Sequence, residues 1–233
     1  MPAGSQGPSG RSVIANAIGD SGAEALAPLC RLALAYAPAR AKADWLTFLL
    51  LDARLGQILR SAREPMLAQL KLAWWRDRLS GDRAAFPKGE PLLARLADWL
   101  EPASMVPLVD GWEALLGEPP LGPEACRAFA EGRGQALVGL AKRMGTGPGL
   151  VATVGHCWSL AEIAVALGSD DERAAALTLL AAEGNRVGAL PRVMRPLAVL
   201  EGVYRRASAK QGLADLHSPG ALLTAVRIGL TGR

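Results

Sequence analysis

The chain has 233 residues, 26 Lys plus Arg against 22 Asp plus Glu, and half of its residues are hydrophobic. That length suffices for one large domain that buries roughly 70% of its unfolded surface without disulfide or metal staples. Its apolar runs are short, the one near Trp45–Leu51 being interrupted by Thr47 and stopped by Asp52, far below the roughly 18 residues of a membrane-spanning helix.

Composition sets the fold class. With 43 Ala and 38 Leu but only 12 Val and 5 Ile, the chain favours residues that lose little freedom in helices over β-branched ones. An all-α fold is expected. The start, MPAGSQGPSGRS, lacks the charged and apolar regions of a signal peptide, so residues 1–20 read as a disordered tail and residues 21–233 as one helical domain of a cytoplasmic protein. Cys30, Cys126 and Cys157 are far apart in apolar pattern and read as free thiols. The charge excess lies in residues 1–90, with 12 Lys/Arg against 8 Asp/Glu. It suits an anionic group or peripheral contact with an anionic membrane surface, and it is too sparse for a nucleic-acid stripe.

Punctuation predicts about ten helices. Ser21 and Glu24 form a capping box opening a helix to about Tyr36. Apolar spacing places a long buried helix over 42–62, and Pro65 opens another to about Leu79. Pro91 starts a short helix to Leu100, and Pro102 or Ser104 starts one to about Leu116. The next runs from Glu124 to about Met144, with Gly132, Gly134 and Gly139 marking close helix packing or a kink. Residues 150–167 are apolar on most faces and are expected at the centre. Ser169 and Glu172 form a second capping box for a helix to Glu183; Pro191 opens one that bends near Pro196 and reaches Lys210; Ser218-Pro219 caps the last.

The chemistry is read partly from absences. No phosphate-binding glycine loop, zinc spacing or nucleophile–base pair stands out, and adjacent His156 and Cys157 point about 100° apart on a helix, which favours a core role. Glu162 lies in an otherwise apolar helix, and a buried carboxylate requires a partner, expected to be an Arg from the first half of the chain.

Residues 48–82 contain Leu70-Lys71-Leu72-Ala73-Trp74-Trp75-Arg76-Asp77-Arg78-Leu79. Weaker echoes follow in PLLARLADWL, LVDGWEALL and LPRVMRPLAVLEGVYRR. This series resembles the squalene/phytoene synthase family. The resemblance implies an isoprenoid-synthase-like helical bundle, in which catalytic members join two prenyl diphosphates using Mg²⁺ held by acids four residues apart on facing helices. Here Leu51-Asp52-Ala53-Arg54-Leu55-Gly56-Gln57 stands at the first motif with one acid, residues 177–182 at the second have none, and Asp20/Glu24 is the sole acidic pair at that spacing. The first helix is closer to a branch that resembles a mitochondrial complex I assembly factor.

The expectation is therefore a member without ordinary head-to-head transfer, which binds an isoprenoid or other lipid or serves as an assembly-type factor toward a protein partner. Asp52, Arg54, Gln57, Lys71, Trp74, Trp75, Arg76 and Glu162 are the candidate binding residues. No residue is assigned a catalytic role and no metal ligand is named; Mg²⁺ enters only with a divergent prenyltransferase, for which Asp52, Glu162, Asp170 or Glu183 would converge. The remaining alternative is an unrelated helical interaction protein, for which residues 65–79 would lie on the surface rather than at the centre.

Overall fold

Proline sets most of the helix starts. The computed structural model describes residues 22–62, 64–166, 169–184, 188–210 and 212–232. Among these residues the chain forms eleven α-helices and no strand, an all-α bundle. In order they are α1 (Pro28–Ala35), α2 (Ala39–Ser61), α3 (Pro65–Ser80), α4 (Pro91–Leu96), α5 (Val106–Ala114), α6 (Pro123–Arg143), α7 (Val151–Ala166), α8 (Asp170–Ala182), α9 (Arg195–Ser208), α10 (Leu213–Leu216) and α11 (Pro219–Thr231). Seven of them carry Pro in the first turn, where the missing amide would be unpaired anyway. Most boundaries could therefore be read from the sequence to within a few residues.

Several expectations need correction. The helix expected from Ser21 to Tyr36 is, in its described part, a 3₁₀ turn at Ala23–Ala25, an extended Leu26, and then α1. Pro28 has no amide to continue a preceding turn and so begins a new helix. Ser21 and the proposed tail at 1–20 lie outside the described residues. The short helix ends at Leu96 rather than Leu100, which lets Trp99 turn into the core at 2% exposure. Pro102–Met105 and Arg192–Met194 are 3₁₀ turns, and Pro196 lies in the first turn of α9, where it begins a helix instead of bending one. Ser218 does cap α11 by accepting the Ala221 amide at 3.1 Å.

The second expected capping box does not form. Ser169 makes no side-chain cap, and Glu172, nearly buried, accepts the Leu121 amide at 2.7 Å. A tertiary partner has taken the carboxylate that local sequence assigned to the helix end.

Helices α6, α7 and α9 form the middle of the bundle. α5 and α7 flank α6, α8 and α9 pack on α7, and α1 and α11 close over α9. α2 and α3 lie along one side, with α3 against α2 and α5. The Trp45 indole on α2 donates to the Val193 carbonyl at 2.7 Å, tying this side to the turn that precedes α9.

Candidate functional site

Two features bring charged groups together, one inside the bundle and one at its edge. The inner one depends on glycine. On α6, a methyl at Gly132 would overlap the Pro107 carbonyl oxygen, and one at Gly134 would overlap the His156 ring. One at Gly139 would come within 2.7 Å of Ser104 Cβ. The three glycines therefore serve close packing rather than a kink, since α6 is continuous from Pro123 to Arg143. Gly132 lets α5 approach and Gly134 lets α7 approach, so the residue between them, Arg133, is held in the gap and is wholly buried.

Arg133 joins two acids from different helices. Its Nη2 donates to both oxygens of Asp52 on α2, at 3.1 and 3.0 Å, and its Nη1 donates to Glu162 Oε2 on α7 at 2.5 Å. The Trp112 indole on α5 donates to Asp52 Oδ1 at 2.8 Å, and the Tyr204 hydroxyl on α9 reaches Glu162 Oε1 at 3.5 Å. The guanidinium carbon also lies 4.4 Å from the Phe129 ring centre and 4.2 Å from that of Trp158, so ring faces supplement the carboxylates in a dry interior. A buried charge requires this degree of partnering, because an unpaired one costs several kcal/mol.

The electrostatics follow from the count of charges. One guanidinium faces two carboxylates, so the cluster carries net −1 when both acids are ionised. Burial pushes the Glu162 carboxyl above its ordinary value; Arg133 opposes the rise and the Asp52 charge adds to it. For Arg133, burial disfavours the charged form, but Asp52 and Glu162 outweigh it and hold the guanidinium protonated. The Tyr204 hydroxyl is raised by the Glu162 charge and then by burial. Burial, followed by the charges of Glu162 and Asp52, takes the Cys30 thiol on α1 up to about 12. Its surroundings therefore disfavour the Cys30 thiolate.

The edge feature is a cleft of about 480 Å³ between α2 and α3, lined by Arg54, Gln57, Lys71, Trp74, Trp75 and Glu90, among others. An adjoining depression of about 920 Å³ shares Arg54, Gln57 and Glu90 and adds Arg60 and Arg95. Five of the eight sequence-selected residues thus meet in one place. The cleft has a basic rim and an indole wall, while Glu90 also accepts the Leu92 amide at the start of α4. Trp75 is buried, Trp74 is 37% exposed, and their rings meet edge to face at 5.2 Å.

The other three candidates lie elsewhere. Asp52 and Glu162 belong to the interior cluster, and the partner of Glu162 is Arg133, from the second half of the chain rather than the first. Asp52 and Arg54 leave α2 on different faces, one inward and one to solvent. Arg76 is engaged by Asp110 at 2.6 Å and by Glu113, both on α5, and neither Asp77 nor Asp82 is its partner. It fastens α3 to α5. Arg133 itself was missed by sequence reasoning, although Gly-Arg-Gly amid Phe129, Ala136, Leu137 and Leu140 at helical spacing is a legible sign of an Arg in a buried seam.

Asp170 and Glu183 do not join either centre: Asp170 stands in the first turn of α8, and Glu183 faces His156 Nδ1 at 3.6 Å. Cys157 is buried beside that histidine, and burial takes its thiol up to about 11. Among the described residues no three His, Cys, Asp or Glu side chains gather as a ligand set. Asp52 and Glu162 do not fit Mg²⁺, which takes an octahedron of oxygens. All four of their carboxylate oxygens already accept from Arg133, Trp112 or Tyr204.

Comparisons with known protein families, with curated proteins and with solved structures find no match.

Proposed function

We propose that this chain is a protein of the squalene/phytoene synthase type that does not carry out ordinary Mg²⁺-dependent prenyl transfer and instead holds an isoprenoid or related anionic lipid in the α2–α3 cleft. The observation that carries this reading is the position of Arg133. An acid from the α2 motif and an acid from the central helix α7 face one another, and a buried guanidinium lies between them. In the catalytic scheme implied by the resemblance, divalent cations neutralise the leaving diphosphate. Here a covalently attached cation occupies the space between the acids and takes most of their negative charge, which supports a loss of that chemistry. The cleft supplies what an anionic lipid needs: Arg54 and Lys71 for a charged head, Trp74 and Leu70 for the chain that follows it.

Incubation of the purified chain with Mg²⁺ and farnesyl or geranylgeranyl diphosphate should release no pyrophosphate above background. Titration with the same compounds should quench indole emission saturably, and Arg54→Ala or Lys71→Ala should weaken that binding. Turnover, or the absence of saturable binding, would overturn the proposal.

The outer face of α3 favours a second reading, in which a surface is the working part. Residues 65–79 are half central and half exposed: Ala68, Leu72, Trp75 and Leu79 are buried, while Met66, Leu67, Leu70 and Trp74 are not. Variants of Met66 and Leu67, which lie outside the cleft lining, separate the two readings.

A further inference from the structure

The outward side of α3 carries four large apolar residues among the exposed Gln69, Lys71, Asp77 and Ser80. Met66 is 70% exposed, Leu67 48% and Leu70 63%, and with Trp74 they form a stripe along the helix on the side away from the core. Exposed single leucines are ordinary, whereas four large apolar residues in a row on one helix mark a contact surface.

The shape and chemistry of this stripe select its occupant. Met66 and Leu67 lie clear of the α2–α3 cleft while Leu70 and Trp74 form its lip, so the stripe faces outward past the cleft mouth and suits a plane laid across that mouth rather than a peptide gripped within it. Its residues are unbranched at Cβ or aromatic, the set found on the apolar side of helices that lie in a bilayer interface. Lys71 and Arg78 border it on the side of α2, with the Arg78 guanidinium 5.8 Å from the Trp74 ring centre and Arg54 across the cleft beyond them. Arg76 on the opposite border is committed to Asp110 and Glu113. Asp77 stands at the C-terminal end of the stripe, and Glu64 precedes its start. The second exposed apolar group, Leu222, Leu223 and Leu230 on α11, has Arg227 as its one basic residue on that helix. Among the described residues no helix is long and apolar enough to cross a membrane.

We infer that α3 docks this chain flat on an anionic bilayer, with Met66, Leu67, Leu70 and Trp74 entering the acyl boundary and Lys71 and Arg78 meeting acidic headgroups. The cleft opens beside the stripe, so docking would place its mouth at the lipid surface, but the surface contact does not depend on what the cleft holds.

Flotation of the full chain with phosphatidylcholine vesicles, and with vesicles containing phosphatidylglycerol, tests this. Association is expected with the second set alone and should weaken as salt rises. Met66→Glu/Leu67→Glu should abolish it, and Arg78→Gln should lower it roughly fivefold, the effect of one cation near an acidic surface. Leu223→Glu should leave it unchanged, with thermal midpoints confirming that each variant is folded. Equal flotation of wild type and Met66→Glu/Leu67→Glu overturns the inference, as does binding that ignores lipid charge. Self-association lost in that double variant, without flotation, would assign the stripe to a second copy of the chain instead. Prenyl diphosphate binding, read separately by indole quenching, should survive in the double variant, so failure of the docking and failure of the cleft reading are distinguishable.

Discussion

The interior around Arg133 and the cleft at Arg54 both contain basic residues on helices, yet they use charge in opposite ways. Arg133 is wholly buried with two carboxylates, two aromatic faces and glycine-thinned helices fitted to it. Arg54 projects into solvent at the lip of a cleft, and Lys71 lines the same opening. A charge in the first setting is structural because removing it strands its partners in a dry interior. A charge in the second stabilises the fold little, since water already solvates it. The contrast separates what holds the bundle together from what is free to meet a ligand.

The sharpest way to break this contrast is to delete the buried cation. Arg133→Met leaves Asp52 and Glu162 facing each other without a counter-charge and should lower unfolding stability by about 3–5 kcal/mol, the usual cost of breaking a buried ion pair from one side. Arg54→Ala should change it by less than about 0.5 kcal/mol. Urea midpoints for the two variants check both values. Adding Asp52→Asn and Glu162→Gln to Arg133→Met should restore part of the loss, because the stranded charges are then gone. If Arg133→Met and Arg54→Ala cost the same, the interior cluster is not the structural centre described.

A smaller effect is expected from the glycines that create the gap. Gly132→Ala places a methyl on the Pro107 carbonyl oxygen, a backbone atom that cannot rotate away. A cost near the upper end of the 1–3 kcal/mol typical of overpacking should follow, visible as a lower thermal midpoint. Gly139→Ala meets Ser104 Cβ at 2.7 Å, a less severe overlap than the one with the Pro107 oxygen, and should cost less. The reverse order would mean that α5 and α6 slide easily, and that Arg133 is positioned by its carboxylates alone.

How much of this was visible in the sequence depends on whether local or distant partners decide. Helix starts were legible because proline acts through its own ring and missing amide, as at Pro65, Pro91 and Pro219. Helix ends set by tertiary demand were not: the chain leaves α4 at Leu96 to bury Trp99, and Glu172 abandons the cap of α8 for the Leu121 amide. The need of Glu162 for a cation could be read from its apolar helix, but the identity of that cation could not. A carboxylate 29 positions away along the chain imposes no spacing rule, and a search for acids four apart overlooks an Arg that pairs with two acids from different helices. Lys71, Trp74 and Trp75, and likewise Arg54 and Gln57, were selected on the two stretches that carry the resemblance, and three- and four-residue spacing along α3 and α2 brings each set to the cleft. The outward stripe was present in the sequence as Met66, Leu67, Leu70 and Trp74 at three- and four-residue spacing, apart from the buried set of Ala68, Leu72, Trp75 and Leu79.

The gentlest perturbation of the comparison is pH, because it changes one proton at the centre and leaves packing intact. Burial raises the Glu162 carboxyl above its ordinary value of 4.5, with Arg133 offsetting part of the rise and Asp52 adding to it. The folded chain therefore holds the Glu162 proton more tightly than the unfolded chain does. Between the ordinary and the raised value the folded state binds more protons, so this group makes stability fall as pH increases through that window and adds no slope above or below it. Glu162→Gln keeps an oxygen for Arg133 and cannot titrate. The difference between wild-type and Glu162→Gln stability, followed by urea unfolding from below pH 4.5 upward, should thus move steadily against the wild type with rising pH and then level off. A difference that is flat with pH would mean that Arg133 fully compensates the burial of Glu162. One that moves in favour of the wild type would mean that the ion pair outweighs desolvation and that the carboxyl lies below its ordinary value.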